Sequence, residues 1–250
     1  MRSQILDIQC FNSKVLNTHF FNMRLRNKLS NSLNSLFNNI CAFSLIVMTM
    51  VALPLQAQAK AIIESNILVF GDSLSAAYGI AQNQGWVSLL EQRLKQQQYP
   101  YKVINASISG ETTSGGLSRF KNAIKLHKPS IIILELGAND GLRGLSASDT
   151  FNNLDAMLAL AKPAKVLLLG MKIPPNYGLK YSAEFSNNYQ KLAKKHRANL
   201  VPFMLDGIAG KPNLVQEDGL HPTAAAQAIL LENSWPQLKS LLKLTKAKNN

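Results

Sequence analysis

Two cysteines occur in the 250 residues, Cys10 and Cys41, and both stand near the amino terminus. The chain beyond Cys41 therefore offers no thiol nucleophile, no disulfide and no thiolate metal site. Acidic residues are scarce as well. Lys and Arg number 27 against 14 Asp and Glu, for a formal net charge of +13. A basic balance can mean nucleic acid, an anionic membrane surface or an acidic substrate. Here the basic residues are scattered, and no Lys/Arg block with interleaved aromatics exists. The densest group, Lys191, Lys194, Lys195 and Arg197, falls at helical spacing and reads as a solvated helix face. Nucleic-acid binding is not expected. Long hydrophobic runs are missing too. The longest uncharged apolar stretch, Ile40 to Leu53, covers 14 residues, whereas a bilayer span needs about 20. No internal repeat, linker or low-complexity segment is present apart from the Lys/Asn-rich tail.

That apolar stretch has a different reading. Arg24, Arg26 and Lys28 precede it as a positive region, and Ala57-Gln58-Ala59 follows it as an A-x-A cleavage signal. Together they predict a secretory signal peptide over 1–59, cut after Ala59, and an exported mature chain, periplasmic or secreted. Cys41 lies at the wrong end of the run for a lipid-anchored cysteine. The segment Met23-Arg24-Leu25-Arg26-Asn27-Lys28 resembles an ordinary signal start, so Met23 is a candidate for the true translation start. Residues 60–250 are expected to form a single domain, a size that α/β domains often reach.

Within that domain, apolar strand patterns alternate with amphipathic helix patterns. Strands are expected at Ile67–Phe70, Tyr101–Ala106, Ile131–Leu136, Val166–Leu169 and Leu200–Leu205. Helices are expected over Trp86–Gln98, after the polar Thr112-Thr113-Ser114 and running towards Lys128, and over Ser148–Ala161, Tyr181–Arg197, Thr223–Glu232 and Trp235–Leu244. The near-continuous apolar run Ile131–Leu136 marks a sheet covered on both faces. The alternation predicts an α/β fold with a doubly wound, five-stranded parallel sheet.

Three of these strands end in small and polar residues: Gly71-Asp72-Ser73, Ser109-Gly110-Glu111 and Gly137-Ala138-Asn139-Asp140. In a parallel sheet the three ends converge on one edge, where open α/β folds bind ligands. A serine at a strand-to-helix turn presents its hydroxyl there, beside free helix N–H groups. Near the carboxyl terminus stands Asp218-Gly219-Leu220-His221-Pro222. An acid three residues before a histidine can accept from Nδ1–H and leave Nε2 as a base. Such a base is what a serine hydroxyl needs to become a nucleophile. Each piece alone has a plainer reading: Ser73 as an N-cap, Gly110 as a turn glycine, Asn139 as a cap, Asp218 and His221 as a structural pair. The combination in this order is what points to chemistry.

Gly71-Asp72-Ser73-Leu74, Gly110, Gly137-x-Asn139-Asp140 and Asp218-x-x-His221 resemble the four blocks of the SGNH or GDSL hydrolases. The similarity runs over roughly 65–245. It is strongest to the bacterial branch of thioesterase I, lysophospholipase and arylesterase enzymes, through Gly71 to Tyr78, Asn105 to Thr112, Glu135 to Gly144 and Pro174 to Gly178. The resemblance implies a flavodoxin-like three-layer sandwich. It also implies hydrolysis of acyl esters and thioesters through an acyl-serine intermediate, with no metal and no cofactor. Ser73 would be the nucleophile, His221 the general base and then acid, and Asp218 the residue that orients His221. The oxyanion hole would comprise the N–H groups of Ser73 and Gly110 and the side-chain amide of Asn139. Ile173, Pro174, Pro175 and Tyr177 would wall the acyl chain, although the same loop could be a rigid connection only. Asp72 would order the turn, and Ala138 stands where many relatives carry a second glycine.

The expected partner is a small acyl ester or thioester, with lysophospholipid as one candidate. Membrane contact is expected to be peripheral at most, and the protein to be a monomer. Two alternatives share the same residues: a carbohydrate O-deacetylase of the same family, and an exported binding module without activity. Peptide hydrolysis would need a defined peptide cleft that the sequence does not suggest.

Overall fold

The structure, a computed structural model, describes residues 36–37 and 65–243. The chain divides into two units, 1–61 and 62–250. Of the first, residues 36 and 37 are described, and they are helical. The expected signal peptide and its cleavage after Ala59 lie outside the described residues.

Five strands build the second unit: β1 (Ser65–Gly71), β2 (Tyr101–Asn105), β3 (Ile131–Glu135), β4 (Lys165–Leu169) and β5 (Asn199–Val201). They pair in parallel in the order β2-β1-β3-β4-β5, the flavodoxin-like arrangement. β1 and β3 sit at the centre, and Ile67–Phe70 and Ile131–Leu134 are fully or almost fully buried. Their unbroken apolar character follows, since helices cover both faces.

The helices are α1 (Trp86–Gln96), α2 (Thr113–His127), the short α3 (Ala138–Leu142), α4 (Ala147–Leu160), α5 (Leu179–His196) and α6 (Gln227–Lys239). They pack in two groups, α1 with α6, and α2 with α4 and α5. Local chemistry sets their starts. The Thr112 side chain caps α2 by accepting from Gly115 N–H, and Ser146 caps α4 by accepting from Asp149 N–H. α2 stops where Lys128 turns left-handed, one residue before Pro129. Between the layers Phe120 meets Phe70 edge-to-face, with ring centroids 4.9 Å apart.

Two elements depart from the sequence expectation. β5 ends at Val201 instead of Leu205. Pro202 has no N–H for the ladder, and the chain bends so that Met204 N–H donates to Gly170 C=O at 2.9 Å. The two expected terminal helices are one helix, α6, entered through a tight turn at Ala224–Ala226. Pro236 lies inside it. An interior proline costs about 3 kcal/mol. The buried Leu230, Leu231, Trp235 and Leu238 hold the helix continuous across it, since each buried side chain contributes about 1.5–3 kcal/mol.

Candidate active site

The strand order reverses between β1 and β3, and the crevice at such a switch point is where open α/β sheets bind ligands. β1 delivers Ser73 to that crevice and β3 delivers Asn139. The long loop before α6 brings His221 across from the far end of the chain. Ser73 Oγ lies 2.8 Å from His221 Nε2, and His221 Nδ1 lies 2.5 Å from Asp218 Oδ2.

Electrostatics fixes the direction of these bonds. Burial alone would raise the Asp218 carboxyl. The hydrogen bonds from the His221 backbone, the imidazole and the Leu220 N–H outweigh it and bring the pKa down to about 2. Asp218 is therefore a carboxylate at neutral pH and can only accept. Its Oδ1 takes the N–H groups of Leu220 and His221, each at 2.9 Å, and its Oδ2 takes the imidazole. Nδ1 then carries the proton, and Nε2 of the neutral ring is left to accept from Ser73 Oγ–H.

Asn139 is held by Asp72. Its Nδ2 donates to Asp72 Oδ2 at 3.0 Å, which uses one amide hydrogen and leaves the other. Gly110 closes the loop after β2 at φ +78°, a conformation that favours glycine. Arg143 pins that peptide by donating from Nη2 to Gly110 C=O at 3.0 Å. Among the described residues, neither the Ser73 N–H nor the Gly110 N–H meets an acceptor. These are two free donors beside the serine turn.

Beneath the turn lies a buried carboxyl pair. The Glu135 Oε2 accepts from Asp72 N–H at 3.2 Å and from Ser75 Oγ at 2.7 Å. Desolvation and the charge of Asp72 hold the Glu135 pKa well above the usual carboxylate range. Desolvation likewise lifts Asp72 to about 6, against the pull of hydrogen bonds from Leu74, Glu135 and Asn139. Like charges buried together in low dielectric disfavour each other's ionised form. Gly71 is what lets the turn approach Glu135, for a Cβ there would stand 2.5 Å from Oε2.

Ser73, Asn139 and His221 open on a cavity of about 330 Å³ with apolar walls that include Leu74, Leu142, Met171, Ile173, Phe203 and Ile208. Of the four expected wall residues, Ile173 and Pro174 line it. Pro175 and Tyr177 do not, and the Tyr177 hydroxyl donates to Leu142 C=O at 3.1 Å. The sequence reading missed the opposite wall, Phe203, Leu205, Ile208 and Ala209. That segment turns irregularly after Pro202 and carries no periodic signal. It also missed Glu135, although an acid closing an otherwise apolar strand is a legible signal.

A parallel switch-point crevice holding a Ser–His–Asp relay and spare N–H donors defines a serine hydrolase of the α/β class. The comparisons make the assignment specific. Residues 69–229 match the GDSL-like Lipase/Acylhydrolase family, and the chain belongs to it. Esterase TesA of Pseudomonas aeruginosa is 48% identical over 197 residues, covering 78% of this chain and 96% of the relative. Thioesterase 1/protease 1/lysophospholipase L1 of Escherichia coli is 36% identical over 208 residues, covering 82% and 97%. A crystal structure of TesA superposes with a TM-score of 0.69 at 49% identity, covering 71% of this chain and all of that one. The protein is a hydrolase acting on ester bonds.

Proposed function

We propose that the protein hydrolyses carboxylic esters and thioesters of acyl chains through an acyl-serine intermediate, with lysophospholipid among its substrates. The observation that carries this reading is the hydrogen-bonded line from Asp218 through His221 to Ser73 at the mouth of an apolar cavity. Ser73 Oγ attacks the acyl carbon as His221 Nε2 takes its proton. The resulting oxyanion accepts from Ser73 N–H, Gly110 N–H and Asn139 Nδ2. His221 returns the proton to the leaving alcohol or thiol, and the acyl chain lies along Ile173, Pro174 and the Phe203–Ala209 wall. Water then attacks the acyl carbon as His221 Nε2 takes its proton, and His221 passes that proton to Ser73 Oγ as the acyl–Oγ bond breaks and the acid leaves.

Three finer points belong to the same reading. The mature protein is residues 60–250, one domain, periplasmic and monomeric. Any contact with lipid is peripheral at most. Ile108, Leu145 and Leu220 are exposed on loops that follow strand carboxyl ends, and Leu179 is exposed at the start of α5, so these apolar side chains are open to solvent. Among the described residues, no helix is long and apolar enough to cross a membrane.

A chain-length series of p-nitrophenyl esters and acyl-CoA thioesters, with Ser73→Ala alongside, tests the reading. Preference for medium or long acyl groups, lost in the variant, is expected. Activity confined to acetyl esters would contradict the acyl-chain assignment and favour deacetylation.

A further inference from the structure

The bonds from Ser73 to Nε2 and from Nδ1 to Asp218 hold the His221 imidazole at two points, both within the ring plane. Neither resists tilting of the ring about the line that joins them. What lies against the ring face is Tyr78, with centroids 4.5 Å apart and planes inclined at 40°. Tyr78 reaches this place through a tight turn: its N–H donates to Ser73 C=O at 3.2 Å, and Ala77 adopts φ +57°. Left-handed backbone is uncommon for a residue other than glycine, and such strain concentrates at functional sites.

Gln216 locks the arrangement. Its side-chain amide donates to Tyr78 C=O at 2.9 Å and to Pro222 C=O at 3.0 Å, while its backbone N–H donates to His221 C=O at 2.7 Å. One residue thus ties the turn after the nucleophile to the loop that carries the base. Neither burial nor the phenol explains the ring's location. Tyr78 is 52% exposed, and among the described residues its hydroxyl has no hydrogen-bond partner. Among the described residues its one aromatic neighbour is the imidazole.

We propose that Tyr78 is a positioning residue for His221: its ring, set by Gln216, keeps the imidazole aligned on Ser73 and favours the imidazolium that forms when His221 takes the serine proton. An aromatic face is electron-rich and attracts an adjacent cation. The imidazolium forms in acylation and again when water attacks the acyl-enzyme, so the ring assists both steps.

The proposal rests on the esterase reading above, and the test separates the two. The pH–rate profile of p-nitrophenyl butyrate hydrolysis is measured for wild type, Tyr78→Phe, Tyr78→Leu and Gln216→Ala, with thermal melts as folding controls. Tyr78→Leu is expected to lose about tenfold in kcat with KM within about twofold, and its acid limb is expected to move roughly half a pH unit lower. Tyr78→Phe keeps the ring and should rescue both effects. Gln216→Ala should move kcat and the acid limb in the same direction as Tyr78→Leu, by less. An unchanged limb, a change in KM alone, or a Phe variant as poor as Leu would overturn the proposal. NMR titration of His221 in Ser73→Ala, with and without Tyr78→Leu, reads the same shift without turnover. The NMR shift intact in a protein that hydrolyses no ester would refute the esterase reading and leave the Tyr78 contact standing.

Discussion

Among the described residues two histidine–aspartate pairs occur, one at each edge of the sheet. At the carboxyl edge His221 meets Asp218 at 2.5 Å, and at the amino edge His196 Nε2 meets Asp155 at 2.7 Å. His196 of the amino-edge pair even lines a cavity of about 410 Å³, with Lys162, Lys165, Arg197 and Asn199. Only one pair can be a catalytic base. Asp218 sets the tautomer of His221 and the other nitrogen faces a serine. Among the described residues, no serine hydroxyl reaches His196, and Lys195 shares its carboxylate at 2.8 Å. The amino edge is where the helices end. Arg93, Lys95, Lys125, His127, Lys194, Lys195, His196 and Lys239 all lie in last turns. Cations there complement the helix dipoles. Part of the basic balance of the sequence is therefore structural, whereas the carboxyl edge carries the nucleophile, the spare N–H donors and the apolar cavity.

The largest effect that sharpens this contrast is expected from Asp218→Asn. An amide there can donate to Nδ1 and invert the tautomer, so kcat should fall by about 10⁴-fold. A loss below tenfold would show that Asp218 does not orient the base. Asn139→Ala removes one oxyanion donor and should lower kcat by about 10²–10³-fold, measured with a short ester so that acyl contacts do not intrude. Next comes stability against pH. Asp72, lifted to about 6, and Glu135, held well above its ordinary value, bind protons more tightly folded than unfolded. The stability they contribute is present below about pH 4 and is lost as pH rises through these folded values. Asp218 runs the other way: its contribution is present above about pH 4 and is lost as pH falls towards 2. Glu135→Gln should therefore show a smaller fall in Tm between pH 5 and pH 8 than wild type. Equal slopes would mean that the pair holds no extra proton. The smallest effect belongs to the amino edge. Asp155→Asn should cost up to about 1 kcal/mol of stability and leave kcat within about twofold, and a large loss of turnover would break the contrast between the edges.

Much of this was legible in the chain itself. The strand ends at Gly71–Ser73, Ser109–Glu111 and Gly137–Asp140 stand out because a sheet edge tolerates most residues, and these are small or polar in each case. Alternation of apolar and amphipathic stretches is enough to indicate a doubly wound sheet. What stayed hidden depends on long-range packing. Pro202 shortens β5 and bends 203–209 into the cavity wall, and no period marks that segment. Pro236 signals a break, yet the burial of Leu231, Trp235 and Leu238 overrides it. Tyr78 and His221 are distant in sequence, so their stacking has no local signature. The resemblance implies Pro175 and Tyr177 in the acyl wall, and they lie outside the cavity lining.

The most direct test is intact-protein mass spectrometry after treatment with a fluorophosphonate, with peptide mapping of the adduct and p-nitrophenyl ester turnover followed in parallel. Serine attack relayed through His221 requires one adduct, on Ser73, absent from Ser73→Ala and strongly slowed in His221→Ala, with turnover lost in step. Turnover that survives without modification of Ser73, or an adduct on another residue that tracks activity, would contradict it.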